Sequence, residues 1–143
     1  MQLDDAGAAA LQTREACRLK AYYDDAGVLT IGWGHTGGDF DLNTVWSQND
    51  ADAQFLLDVQ PDVDCINALV KVALTQNQFN ALVSFVYNVG QEAFKRSTLL
   101  AKLNAGMFLS VPVEMRKWVY AGGHFVQGLQ NRRDSEINQW EAV

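Results

Sequence analysis

Three residues near the start of the chain carry the groups that acid-assisted hydrolysis needs. Glu15, Asp24 and Thr30 offer two carboxyl groups and a hydroxyl, at intervals of nine and six positions. Cleavage of a glycosidic bond requires one carboxylic acid to protonate the leaving oxygen. A second carboxylate stabilises the oxocarbenium-like state or steers water. A hydroxyl can hold that water by a hydrogen bond. The same residues also suit plainer duties. Glu15 can pair with Arg18, Asp24 and Asp25 can make a turn, and Thr30 can be an ordinary strand residue. Spacing alone leaves both readings open.

The elements that must position these groups can be read locally. Asp4 or Asp5 can accept bonds from the free amides that open a helix, and Ala6 to Ala16 are good helix formers, so a first helix is expected up to about Cys17. Asp24 to Gly27 reads as a turn, and Val28 to Gly34 as a strand rich in β-branched and aromatic residues. The β structure is expected to be confined to about residues 20–46. Everything after Ser47 reads as helix. A helix from Ser47 carries Ala51, Phe55, Leu56 and Val59 and is expected to stop at Pro61, with another over Asp62 to Val72. Thr75 and Gln78 form a capping box ahead of Phe79, Leu82, Val83 and Val86, which share one helical face, with Gly90 at its end. Ser97 caps a short helix through Leu103, stopped by Gly106, and residues 111–119 and 129–141 also read as helical. Strands followed by helices along the chain argue for an α+β fold, with a cleft where a β lobe meets a helical lobe.

Composition narrows the class. The chain has 143 residues, 48% hydrophobic and 20% charged, which excludes a disordered tail or a disulfide-rich miniprotein. The net charge of −6 argues against a general nucleic-acid binder. It divides unevenly: residues 1–64 hold 12 acids and 3 bases, residues 65–143 hold 5 acids and 8 bases. The two cysteines, Cys17 and Cys65, are too few for a disulfide framework and are expected to stay reduced, with Cys17 more a packed thiol than a redox switch beside Glu15. Met1 to Leu11 lacks the basic flank of a signal peptide, and no apolar run is long enough for membrane insertion. No phosphate loop, zinc spacing or nucleophile elbow is present, and His35, Asp39 and Asp41 make no full metal-ligand set.

The stretch from Glu15 to Gly38 closely resembles the front of the phage-type lysozymes, the endolysins of glycoside hydrolase family 24, whose Glu, Asp and Thr are separated by eight and five residues as here. The resemblance continues through Leu74 to Gly90 and resumes in Ser97 to Leu100, Leu103 to Gly106, Trp118 to Gly123 and Gly128 to Arg133, so it covers nearly the whole chain. It implies a lysozyme-like, mainly helical α+β fold in one domain over residues 1–143. The small β-containing lobe would cover about 18–60. The helical lobe would cover about 61–143 plus the N-terminal helix, and Ile66 to Val72 would belong to a helix bridging the two.

The resemblance also implies a muramidase acting on the β-1,4 bond between N-acetylmuramic acid and N-acetylglucosamine. Glu15 would be the general acid, with Asp24 and Thr30 positioning water. His35, Thr36, Tyr87, Asn88 and Arg132 would contact substrate, the Asn88 amide bonding a sugar N-acetyl group, and Arg132 would help orient Glu15. No cofactor or metal is implied. The expected partner is the peptidoglycan glycan strand, met by a monomer that depends on a holin to pass from the host cytoplasm to the wall. A non-catalytic wall-binding or structural phage protein with the same fold is the alternative. Two positions depart from the family pattern. Ala16 replaces the usual Gly, where a methyl should favour helix and, if the glycine serves close substrate approach, would crowd the cleft, and Trp33 stands where Tyr is common.

Overall fold

The computed structural model describes all residues, 1–143, which fold as two compact units, one of residues 9–61 and one of residues 1–8 with 62–143. Helix α1, Asp5–Glu15, opens the chain and is capped by Asp4, whose Oδ1 accepts the Gly7 N–H at 2.8 Å. The helix stops two residues before the expected Cys17. Ala16 takes φ +46°, the one non-glycine residue with a positive φ, and this turns the chain out of α1.

In the unit of residues 9–61, an antiparallel sheet follows in the order β1 (Arg18–Tyr23), β2 (Leu29–Gly32), β3 (His35–Thr36). Tyr22 pairs with Thr30 and Thr30 with Thr36, with a bulge between Arg18 and Tyr22. The returning loop adds a bridge from Val45 to Lys20 and a bond from the Trp46 N–H to the Leu19 carbonyl. Leu11, Ile31, Ala51 and Phe55 form its core, each at most 1% exposed.

Helix α2 runs unbroken from Gln48 to Leu69 and passes through Pro61, where the sequence suggested two helices. A mid-helix proline removes one N–H and crowds the carbonyl four residues back. Here that carbonyl belongs to Leu57, and both Leu57 and Pro61 are exposed, so solvent can take over the lost bond. Leu56, expected in the buried stripe, is 62% exposed, while Ala51, Phe55 and Val59 are buried. The helix ends three residues before the expected Val72. Asn104 closes it by donating to the Leu69 carbonyl and accepting the Lys71 N–H.

The other unit is built on α3, Gln76–Val89, whose residues Phe79 to Val86 are all buried. The Thr75–Gln78 capping box forms as expected, and Gly90 ends the helix at φ +93°, open to glycine at little cost. Helices α4 (Gln91–Lys95), α5 (Thr98–Asn104, capped by Ser97), α6 (Ser110–Met115) and α7 (Gln127–Glu141) complete it, and α7 packs against α3. Residues 120–125 are not helix or plain loop. They form a second hairpin, β4 (Tyr120–Ala121) and β5 (His124–Phe125), turned by Gly122 and Gly123 at positive φ. This pair of two-residue strands is too short to show alternation in sequence. Both cysteines are free thiols. No helix is long and apolar enough to cross a membrane.

Candidate active site

Glu15, Asp24 and Thr30 all belong to the unit of residues 9–61, on a helix end, a turn and a strand. Glu15 is the last residue of α1 and is partly buried. Its carboxylate lies close to the backbone of Gly34: a Cβ there would come within 3.1 Å of Glu15 Oε2. Gly34 also has φ +81°, so it is glycine for two reasons at once, close approach and backbone conformation. Asp24 sits at the head of the β1–β2 turn. Its Oδ1 accepts the N–H of Ala26 at 2.9 Å and of Val28 at 2.8 Å, an Asx-type arrangement that fixes the carboxylate's direction. Thr30 is 4% exposed. Its hydroxyl donates to the Val28 carbonyl at 2.9 Å, and the same carbonyl accepts the Asp24 N–H. Asp24 and Thr30 are thereby tied to one peptide unit. The Thr30 hydroxyl proton is committed, which leaves its oxygen as an acceptor.

Behind these groups stand two anchors that the spacing argument did not find. The Trp33 indole N–H donates to Asp52 at 2.8 Å, and the Gln48 amide donates to the same oxygen at 2.9 Å. The Trp33 bond, aided by Gln48 and opposed by burial, holds the Asp52 carboxyl below its ordinary value of 3.8. His35 Nδ1 meets Asp58 at 2.8 Å, and its ring packs against Phe40 and Trp46. Trp33 and His35 thus pin β2, β3 and the glycine turn between them to α2. Thr36 is exposed on β3. The available signal was that Asp52 and Asp58 flank the Ala51–Phe55–Val59 stripe, where a half-buried carboxylate needs a partner. The Gln48 amide also lies 3.8 Å from the Cys17 sulfur. The Cys65 thiol is pushed up by burial and by the Asp62 charge, which makes it a poor nucleophile.

The remaining candidates lie in the other unit. Tyr87 and Asn88 occupy the last turn of α3, half-buried and exposed respectively. Arg132 donates to the Ser84 carbonyl at 3.1 Å and its Nε lies 3.4 Å from Glu136. Its neighbour Arg133 was given no role in the sequence reading. It is fully buried, bonded to Asn88 and paired with a fully buried Glu136 at 3.2 Å. Helix periodicity hides this, because α7 is polar along most of its length and its buried face contains charged residues. Elsewhere in the unit, Glu114 is buried beneath Lys117 at 2.6 Å and Lys102 at 3.5 Å. Lys117 chiefly, with help from Lys102, lowers its pKa against the opposing effect of burial.

A helix-end acid beside a glycine turn, a backbone-anchored aspartate and a buried threonine on a three-stranded sheet, within a mainly helical α+β chain, define a lysozyme-type domain. The chain belongs to the phage lysozyme family, whose model matches residues 12–136. It is 43% identical to the endolysin of Bacillus phage PZA, over 95% of this chain and 54% of that protein. It is 44% identical to the SAR-endolysin of Escherichia phage Mu, over 83% of this chain and 69% of that protein. The chain therefore spans about half the length of the PZA relative. The muramidase domain of SpmX from Asticaccaulis excentricus shares the fold with a TM-score of 0.91 at 34% identity, over 99% of each chain.

Proposed function

We propose that this chain is a peptidoglycan-degrading lysozyme that hydrolyses the β-1,4 bond between N-acetylmuramic acid and N-acetylglucosamine and serves a phage in host lysis. The observation that carries this reading is the arrangement of Glu15, Asp24 and Thr30 within one unit of a phage lysozyme family member. Glu15 donates its proton to the leaving glycosidic oxygen. Asp24, held by two backbone N–H groups, takes up the developing positive charge and orients the attacking water. Thr30, with its proton given to Val28, accepts a hydrogen from that water and so turns a lone pair toward the sugar. A water placed between carboxylate and sugar favours inversion at the anomeric carbon.

Substrate contacts from His35, Thr36, Tyr87, Asn88 and Arg132 rest on the family resemblance. So do the role of Arg132 in orienting Glu15, action as a monomer and dependence on a holin to reach the wall from the cytoplasm. The test is release of reducing ends from purified peptidoglycan by the wild type and by Glu15→Gln. Wild-type release, lost by at least a hundredfold in a folded Glu15→Gln protein, is expected on the scale of a general acid's contribution, roughly 10²–10⁴-fold. Full activity in the variant rejects Glu15 as the acid. A wild type that binds the polymer without releasing ends rejects the enzyme.

A further inference from the structure

Asn88, a substrate contact on the family resemblance, is joined to Arg133, a residue to which the reading above gives no role. Arg133 Nη2 donates to Asn88 Oδ1, its guanidinium carbon lies 4.9 Å from the centre of the Phe85 ring, and Glu136 pairs with it at 3.2 Å. A guanidinium held by a ring, a carboxylate and full burial cannot swing away. It therefore sets the amide it touches. Turning the Asn88 amide over would press NH2 hydrogens against guanidinium hydrogens, donor against donor. With Oδ1 turned to the guanidinium, the group that Asn88 turns away from it is Nδ2–H, and Nδ2 donates to no protein acceptor. Asn88 is exposed and borders a cavity of about 350 Å3, walled also by Trp118, Tyr120, Ala121 and Leu129. One polar donor beside an apolar wall matches an acetamido group, which has a carbonyl on one side and a methyl on the other.

We propose that Arg133 is a positioning residue: it fixes the Asn88 amide with its N–H outward, so that the contact with a sugar N-acetyl group, itself implied by the family resemblance, is a donation to the acetyl carbonyl, with Trp118, Tyr120 and Leu129 taking the methyl. This rests on the peptidoglycan-hydrolase reading. Kinetics of reducing-end release for the wild type, Asn88→Ala, Arg133→Lys and the double variant test it. Each single change is expected to raise KM by roughly tenfold, about 1.4 kcal/mol, with kcat little moved, and the double to be no worse than either single. Losses that multiply to roughly a hundredfold in the double mean that Arg133 acts independently of Asn88, and overturn the proposal.

Asn88→Asp leaves the buried arginine a partner but offers no N–H. It is expected to keep the thermal midpoint and show the same rise in KM, and a wild-type KM there overturns the donor role. Side-chain 15N relaxation of the unmutated protein decides the matter even if Arg133→Lys does not fold. The exposed Asn88 amide is expected to be rigid, and an order parameter below about 0.6 overturns the positioning. A wild type that releases no reducing ends refutes the hydrolase reading and this proposal together. An active wild type with any of the contrary results refutes the Arg133 proposal alone.

Discussion

Ala16→Gly is expected to stabilise the protein, although alanine outranks glycine inside a helix. Ala16 follows the last residue of α1 and takes φ +46°. A left-handed backbone brings Cβ close to the following carbonyl oxygen and costs an L-residue about 1–2 kcal/mol. Glycine escapes that cost but leaves the unfolded chain freer, which offsets about 0.4–1 kcal/mol. The side chain is exposed, so little burial is lost with the methyl. The balance favours glycine by roughly 1 kcal/mol. With about 2.1 cal/mol/K of unfolding entropy per residue, a chain of 143 residues gains about 3 °C in Tm. Thermal and urea unfolding followed by circular dichroism measure it, with an unchanged urea slope showing that the unfolded state is comparable. A midpoint equal to or below the wild type refutes the reasoning, and means that Ala16 is helical or unstrained in solution. Reducing-end release measured on the same pair shows whether the methyl also hinders substrate.

Gly34→Ala places a Cβ 3.1 Å from Glu15 Oε2 at a φ of +81°. It should lower both Tm and activity, the backbone part alone costing about 1–2 kcal/mol; unchanged activity would mean that the Glu15 carboxylate is not held against this turn. Thr30→Val keeps the buried shape and leaves the Val28 carbonyl its Asp24 N–H, so Tm should barely move while kcat falls, and wild-type kcat would reject Thr30 as a water-positioning group. Trp33→Phe removes the stronger of the two bonds that depress Asp52. A depressed carboxyl contributes stability that is full above its ordinary 3.8 and disappears as pH falls through the lower folded value. The Tm gap between wild type and Trp33→Phe should therefore be larger at neutral pH than at about pH 2.5. A gap independent of pH assigns the loss to packing against Phe55 instead.

Local signals carried much of the fold. Thr75 with Gln78, Ser97 and Asp4 each act within a few residues of themselves, so the helix starts that they mark appear where the sequence places them. The Asp24–Gly27 turn is equally local, since one side chain binds two amides within four residues. Pro61 misled because its cost depends on whether the abandoned carbonyl meets solvent, which is a property of the folded surface. The hairpin at residues 120–125 was missed because two-residue strands carry no period.

The residue types and spacing of Glu15, Asp24 and Thr30, together with the resemblance that they open, determined the family and the chemistry to look for. Those properties are written in the order of the chain and need no distant contact to read. Only the tertiary structure decided what surrounds them. It brought Gly34 against the Glu15 carboxylate, tied Trp33 and His35 to Asp52 and Asp58, and bent the chain at Ala16. It also buried Arg133 and Glu136, two charged residues of a polar helix, under the Asn88 amide and the Phe85 ring. A charge can be buried only where a partner is delivered to it, and that partner comes from a segment whose arrival no local pattern announces.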